Sequence, residues 1–177
     1  SINLSGDYST QDAACCGSVF VRTGATQRPL NRQFAALAAA QGYTPPSLKP
    51  FDRLTDLDAN LNAGNKIGGA ALRVKWDVGP GTLTSITAWR FWDWKPENDR
   101  DFTGLPIVTK SQNPSQQDQF TQELRYNYTG DKIDFVVGAF AFYQKIKTQG
   151  TEQHGSASSA WTLNPTNALS KDPSVLD

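Results

Sequence analysis

Two tryptophans and a run of alternating charges lie close together near the middle of the chain. Trp92 and Trp94 are followed by Asp99, Arg100 and Asp101. Indole rings can stack on a flat ligand, and neighbouring charges of both signs can orient it. These five residues are therefore the predicted ligand contacts, for a sugar, a siderophore or an aromatic compound. The alternative is a belt of interfacial aromatic residues followed by a solvated loop.

Catalytic and metal-binding patterns are weak by comparison. His154 is the only histidine, and any hydrolase triad would have to use it as the base. No G-x-S-x-G elbow is present, and the glycine spacing matches neither a P-loop nor a dinucleotide fingerprint. Two adjacent thiols with no histidine beside them do not make a metal site. The sequence therefore predicts no enzymatic activity, no cofactor and no metal.

The elements that must position the predicted ligand contacts are strands. Residues 66–78 alternate between an apolar face, which includes Leu72, Val74 and Trp76, and a charged face. Residues 118–128 alternate in the same way, although Gln122 interrupts the apolar face. Arg90 is assigned to the inward, polar face of its strand. The predicted strands lie near 1–9, 66–78, 82–94, 118–128 and 132–146.

The connections between these strands alternate strictly between short and long. Gly79-Pro80-Gly81 and Thr129-Gly130-Asp131 can each reverse the chain, whereas the intervening connections are long and polar. If the strands pair antiparallel in sequence order, all short turns lie at one end of the sheet. That arrangement is typical of a transmembrane β-barrel. The predicted long outer loops are 10–65, 95–116 and 147–177.

The first long loop contains one predicted helix, between Asn31 and Tyr43. Asn31 can cap its start, Gly42 can end it, and Pro45 follows. Such a helix either contributes to ligand capture at the mouth of a receptor or only packs the loop against its neighbours. Its predicted apolar face comprises Phe34, Leu37 and Ala38.

Composition narrows the class of protein. Lys plus Arg and Asp plus Glu number 17 each, so the net charge is zero and a nucleic-acid partner is not indicated. No methionine is present, and we expect a chain cut from a larger product. The mean hydropathy is −0.50, which a barrel permits because only alternate strand residues contact lipid.

Four stretches resemble barrel segments of TonB-dependent outer-membrane receptors of Gram-negative bacteria. They are LTSITAWRFWDW (Leu83 to Trp94), NDRDFTGLP (Asn98 to Pro106), QDQFTQELRY (Gln117 to Tyr126) and DFVVGAFAFYQ (Asp134 to Gln144). The resemblance implies a plugged barrel of about 22 antiparallel strands in the cell outer membrane. It also implies import of a scarce nutrient, such as a siderophore or a sugar, with energy from the TonB complex.

The family's plug domain and TonB box have no counterpart in this sequence. We therefore expect residues 1–177 to form part of one barrel, all-β, with about five up-and-down antiparallel strands and one short helix in a long loop. The barrel would be incomplete. The implied partners are the remaining strands and plug of the same barrel, the TonB complex, outer-membrane lipid and a small-molecule nutrient.

Cys15 and Cys16 are adjacent, and the exported compartment implied by the resemblance permits disulfides. A bond between these two neighbours is one possibility. Pairing with cysteines outside this sequence is another.

Two other classes of protein fit the same strand patterns. One is a soluble β-rich binding or hydrolytic module whose strands only mimic barrel hairpins. The other is a cell-surface adhesion protein, which would require no TonB energy. A requirement for detergent separates the barrel from the soluble module.

Overall fold

The computed structural model describes residues 1–163 and 166–176. The predicted outer loop 147–177 therefore falls partly outside the described residues, at 164, 165 and 177. Most of the described secondary structure is antiparallel β-sheet, so the predicted all-β class is confirmed. The strands are β1 (Ile2–Gln11), β2 (Asn62–Val78), β3 (Gly81–Glu97), β4 (Val108–Gln112), β5 (Ser115–Thr129), β6 (Asp134–Thr148) and β7 (Thr151–His154). The α-helices are α1 (Phe34–Ala40) and α2 (Ser158–Thr162).

The chain divides into two compact units. The first, called the sheet unit, comprises residues 1–12, 64–95 and 114–149. The second, called the loop unit, comprises residues 13–63, 96–113 and the described residues from 150 onward.

The sheet unit contains the long strands in the order β1, β2, β3, β5, β6. Gly79, with φ of 60°, allows the tight turn between β2 and β3, since a left-handed backbone favours glycine. The pairing of β3 with β5 runs from Gly81 opposite Tyr128 to Trp94 opposite Ser115, and β5 pairs with β6 along the whole of both strands. Each of these five strands has 10 residues or more.

One face of the sheet unit is apolar across all five strands. Directly paired residues of an antiparallel sheet lie on the same face, so the registers define it. Tyr8 contacts Phe91, with ring centroids 6.3 Å apart, which extends the face from β1 to β3. We call it the apolar face. Its apolar members are Ile2, Leu4, Tyr8, Ala70, Leu72, Val74, Trp76, Val78, Leu83, Trp89, Phe91, Phe120, Leu124, Tyr126, Tyr128, Phe135, Val137, Ala139, Ala141 and Tyr143.

The opposite face, called the polar face, carries charged side chains near the tight turns, whereas the charged residues of the apolar face lie at the other end of the strands. Arg90 donates two hydrogen bonds to the Asp7 carboxylate, at 2.8 and 2.9 Å. Gly69 lies beneath this pair, because a Cβ there would come within 2.9 Å of the Arg90 side chain. The polar face is less polar on β6, where Val136, Phe140, Phe142 and Ile146 are apolar.

The large apolar side chains of the sheet unit are poorly covered. Trp76 is 68% exposed and Val137 60% exposed, and every residue of β6 is exposed. Gln122 interrupts the apolar face, as predicted. The Thr87 hydroxyl donates to the Gln122 carbonyl oxygen (2.6 Å), and the Gln122 amide nitrogen donates to the Ser85 hydroxyl (3.0 Å).

The loop unit has a small conventional core. Ile107, Val108 and Ala157 are buried together, with Leu105 and Trp161 packed against them. β4 and β7 pair antiparallel beside this cluster, and Glu97 at the end of β3 pairs with Gln112. None of the helices in residues 1–163 and 166–176 is long and apolar enough to cross a membrane.

The predicted helix is present, but its predicted cap is wrong. Asn31 lies in a 3₁₀ turn, Leu30–Arg32, and Gln33 occupies the N-cap position of α1 without a side-chain capping bond. Gly42, with φ of 66°, follows the helix end. Inside α1, Leu37 and Ala38 are buried.

Phe34 at the start of α1 lies within an aromatic cluster. Its ring contacts Phe20, Tyr43 and Trp161, with centroids 5.6 to 6.5 Å apart. Arg32 donates to the carbonyls of Trp161 (3.0 Å) and Thr162 (2.8 Å) at the end of α2, where cations are favourable. These contacts give α1 a packing role in the loop unit.

The other differences concern strand ends and short strands. All five predicted strands are present, and most extend one to four residues further than predicted. The prediction that 95–116 and 147–177 are irregular is wrong for β4 and β7. These strands are only five and four residues long, too short for a clear alternation.

Candidate ligand-binding site

Trp92 and Trp94 form a stacked pair on the polar face of the sheet unit. They lie two residues apart on β3 and therefore on the same side of the strand. Their rings are nearly parallel, at 15°, with centroids 5.5 Å apart. The Trp92 Nε1–H donates to Asn65 Oδ1 at 2.6 Å, which fixes the first indole against the neighbouring strand. Both side chains are half-buried.

Amide side chains surround this pair. Trp92 is paired with Gln117, and Arg90 is paired with Gln119, which is itself paired with Gln144 on β6. Gln117 donates to Gln119 at 3.4 Å. The surface thus offers two ring systems, several groups that both donate and accept hydrogen bonds, and one closed ion pair.

Asp99 and Asp101 lie in the loop unit, where both carboxylates organise backbone. Asp99 is fully buried and accepts the N–H groups of Asp101 (3.1 Å), Phe102 (2.7 Å) and Asp58 (3.2 Å). Asp101 accepts from the Thr103 backbone and hydroxyl and from the Val108 N–H. Such bonds are the ordinary function of aspartate in turns.

Asp58, Asp99 and Asp101 form the only group of three potential metal ligands found in the described residues. One ligand atom from each lies within 4.8 Å of the others, as a hard cation with oxygen ligands would require. Partial burial and then the charges of Asp101 and Asp99 raise the pKa of Asp58 to about 6. Burial also raises the pKa of Asp101, with a smaller contribution from the nearby Asp99 carboxylate. Crowded negative charge is therefore the main electrostatic feature of the loop unit.

No family model, curated protein or solved structure matches this chain. Function must therefore be inferred from geometry and residue chemistry. The five predicted contacts divide between the two units, with Trp92 and Trp94 in the sheet unit and the three charged residues in the loop unit.

Arg100 and His154 take part in a second group of polar residues in the loop unit. Arg100 is ion-paired with Glu152, whose carboxylate also lies 3.4 Å from His154 Nε2. His154 Nδ1 lies 2.9 Å from the Ser158 hydroxyl. The group contains the residue types of a hydrolase triad, but Ser158 is fully buried. An enclosed hydroxyl cannot attack a substrate, so this geometry favours a structural role.

Cys15 and Cys16 are bonded to each other in the loop unit. Cys15 is half-buried and Cys16 is exposed. The next residue, Gly17, lies close to Leu57 and Leu61, so the segment packs against a neighbouring part of the loop unit.

The sequence could have pointed to some contacts that were not predicted. A two-residue turn at Gly79-Pro80 places Val78 opposite Gly81. If the pairing continues residue by residue along β2 and β3, Asn65 lies opposite Trp94 and close to Trp92. Gln119 and Asp7 follow only from pairings with strands that are distant in sequence, and no local pattern identifies them.

Proposed function

We propose that the sheet unit is part of the membrane-spanning wall of an outer-membrane receptor of the TonB-dependent type. In this proposal lipid covers the apolar face, and the polar face lines the interior of the barrel. The receptor binds a scarce nutrient outside a Gram-negative cell and imports it with TonB-derived energy.

The observation that carries the proposal is the vertical order of side chains on the apolar face. Trp76, Tyr126, Tyr128 and Phe135 lie near the tight turns, and Trp89, Phe91, Phe120 and Tyr143 lie further along the strands. Tyr128 and Phe120 are eight residues apart on β5, which is about 26 Å along the strand and about 20 Å along the membrane normal at a strand tilt of about 40°. Membrane barrels have an apolar band about 25 Å tall between two aromatic girdles.

Charged side chains on the apolar face, at the end of the strands away from the tight turns, also support a membrane-spanning sheet. Charged residues begin at the level of Phe91, which is paired with Asp118, and Asp118 is in turn opposite Lys145; one step further, Lys66 is opposite Thr10. Charges at this level suit a headgroup region and would be costly within hydrocarbon. Exposed apolar surface of this extent on a water-soluble monomer would favour aggregation.

The edges of the sheet support a larger assembly. β1 and β6 are the outer strands of the sheet unit, and each has one edge unpaired among the described residues. Long exposed edges pair readily with further strands. In the proposed barrel, the remaining strands cover both edges.

Lipid quenching in single-tryptophan variants tests the proposal. The membrane fraction of cells producing the protein is reconstituted in vesicles whose acyl chains carry bromine, which quenches only indoles in contact with lipid. We expect quenching at Trp76 and Trp89 on the apolar face, and none at Trp92 and Trp94 on the polar face. Trp161 in the loop unit is the control for an indole outside the sheet.

Two results would contradict the proposal. One is equal fluorescence of all five variants with and without bromine. The other is a monodisperse monomer in plain buffer, which would favour the soluble β-rich module. Quenching as expected, with uptake independent of TonB, would retain the membrane wall and favour an adhesion protein.

A further inference from the structure

We propose that the Trp92 and Trp94 pair binds a neutral carbohydrate, which is the nutrient that the receptor imports. This inference rests on the proposed receptor function and adds the substrate class to it. A sugar ring presents C–H groups on its flat faces and hydroxyl groups around its edge. The first suit an aromatic ring, and the second require neighbouring groups that donate and accept hydrogen bonds.

The indoles are held in place before any ligand arrives. Trp92 is bonded through Nε1 to Asn65, and Trp94 stacks on it at a centroid distance of 5.5 Å. The Nε1–H of Trp92 already has a partner and Trp94 covers one face of its ring, so a ligand would contact the outer surface of the stacked pair. Preorganised groups bind more tightly, since less conformational entropy is lost.

The polar neighbours have the chemistry that hydroxyl groups need. Gln117, Gln119 and Gln144 follow from the strand registers as the residues beside Trp92 and Arg90 on the polar face. Each amide has a carbonyl that accepts and an NH₂ that donates, so it can match a hydroxyl in either role. Ile146, paired with Gln117, adds a further apolar contact.

Charge distinguishes a sugar from an anionic iron chelate. From Ala88 to Trp94, the described polar-face positions of the sheet unit contain only two charged side chains, Asp7 and Arg90. These are bonded to each other through the two terminal Nη nitrogens of the guanidinium and both carboxylate oxygens. No unpaired cation is left at these positions for a catecholate or carboxylate ligand, whereas an uncharged polyol needs none.

Glycan titration of the membrane-reconstituted protein tests this inference. The probes are neutral hexasaccharides of the cello, xylo, malto and chito series, compared with a ferric tris-catecholate complex. We expect saturable binding of at least one hexasaccharide, measured calorimetrically, and no binding of the chelate. Trp94→Ala should weaken that binding about tenfold, and Trp94→Phe should retain most of it because a ring remains.

A matched control separates ligand contact from general damage to the sheet. Trp76→Ala removes an equally large ring from the apolar face, and its glycan affinity should equal that of the unmodified protein. Gln119→Leu, which removes an amide at nearly constant volume, should weaken binding without lowering the amount of protein in the membrane. Equal loss in Trp76→Ala and Trp94→Ala would overturn the assignment, as would binding of the chelate alone or of no hexasaccharide.

The outcomes separate this inference from the receptor proposal. If bromine quenches Trp76 but no hexasaccharide binds, the substrate class is wrong and the receptor proposal stands. If a hexasaccharide binds to a lipid-independent monomer without quenching, the carbohydrate site stands and the receptor proposal is wrong.

Discussion

The two units differ in whether any of their apolar side chains form a buried core. In the loop unit Ile107 and Val108 are 4% and 7% exposed, and they pack with Ala157 into a core. In the sheet unit Leu4 is 75% exposed, and the buried positions are Gly68, Thr84 and Ser115. The loop unit therefore has a small buried core, although Leu30 and Phe51 of the same unit are 82% and 93% exposed. The sheet unit has no such apolar core among its described residues, and in the proposed barrel lipid covers its apolar face.

The largest expected effect comes from a charge on the apolar face. Leu124→Lys at the middle of β5 should destabilise the proposed barrel by about 2–4 kcal/mol, because a lysine near the bilayer midplane would lose its hydration. Heat-modifiable mobility on gels measures the folded fraction. Thr121→Lys, three residues away on the polar face, is the control and should be nearly neutral. If Leu124 faced water, its replacement would cost no more than about 0.5 kcal/mol.

The second effect tests the core of the loop unit. Ile107→Ala should destabilise this unit by about 2–3 kcal/mol, since it opens a cavity in a small cluster. The measurement is the rate of limited proteolysis within 96–113. Ile107→Val removes one methylene and should cost about 1 kcal/mol. Faster cleavage in both variants to the same extent would show that Ile107 is not packed as described.

The third effect is the pH dependence of the loop unit. The pKa of Asp58 is raised from 3.8 to about 6, so the folded state holds its proton more tightly than the unfolded state. The stabilisation is fully present below about pH 4 and is lost as pH rises through 6. After allowance for solvent screening of a largely exposed carboxyl, the loss should be about 1 kcal/mol.

Asp58→Asn should reduce this pH dependence, because an amide does not titrate in this range and only the contribution of the half-buried Asp101 remains. Urea unfolding followed between pH 4 and 7 measures it. Asp52→Asn, at an exposed position of the same unit, should retain the slope of the unmodified protein. A loop unit that becomes more stable between pH 4 and 6 would contradict the crowding of carboxylates.

The smallest effect concerns the polar group on the apolar face. Gln122 is bonded to Thr87 and Ser85, so its polar atoms are paired within the sheet. Gln122→Leu should change stability by less than about 1 kcal/mol in a bilayer, because the gain from apolar contact with lipid is offset by the lost bonds to Thr87 and Ser85. Thermal unfolding in lipid vesicles measures the change. A clear loss of stability would indicate water at this position.

Sequence periodicity was sufficient for the long strands and insufficient for most of the loop unit. β2 and β5 alternate over enough residues to define two faces, and the turn at Gly79-Pro80 sets the pairing of β2 with β3. β4 and β7 are too short for such a pattern. The backbone N–H of Asp58 donates to the carboxylate of Asp99, which lies 41 residues later in the chain. Only the folded loops bring these two residues together.

The candidate site shows the same limits. The spacing of Trp92 and Trp94 predicts that both side chains lie on one face, and they do. The spacing of Asp99 and Asp101 suggested orienting charges, whereas their carboxylates are occupied by backbone N–H groups. Short polar residues in turns often bind their own backbone, and this competing use cannot be read from charge alone.

β5 pairs without interruption with β6 over all of its 15 residues and with β3 from Ser115 to Tyr128. A single inserted residue there would move every following side chain to the opposite face, and two inserted residues would restore the original sides. Homologous chains should therefore differ in the length of β5 by even steps. Segments such as 13–63, which have no such alternation to preserve, can change by any number.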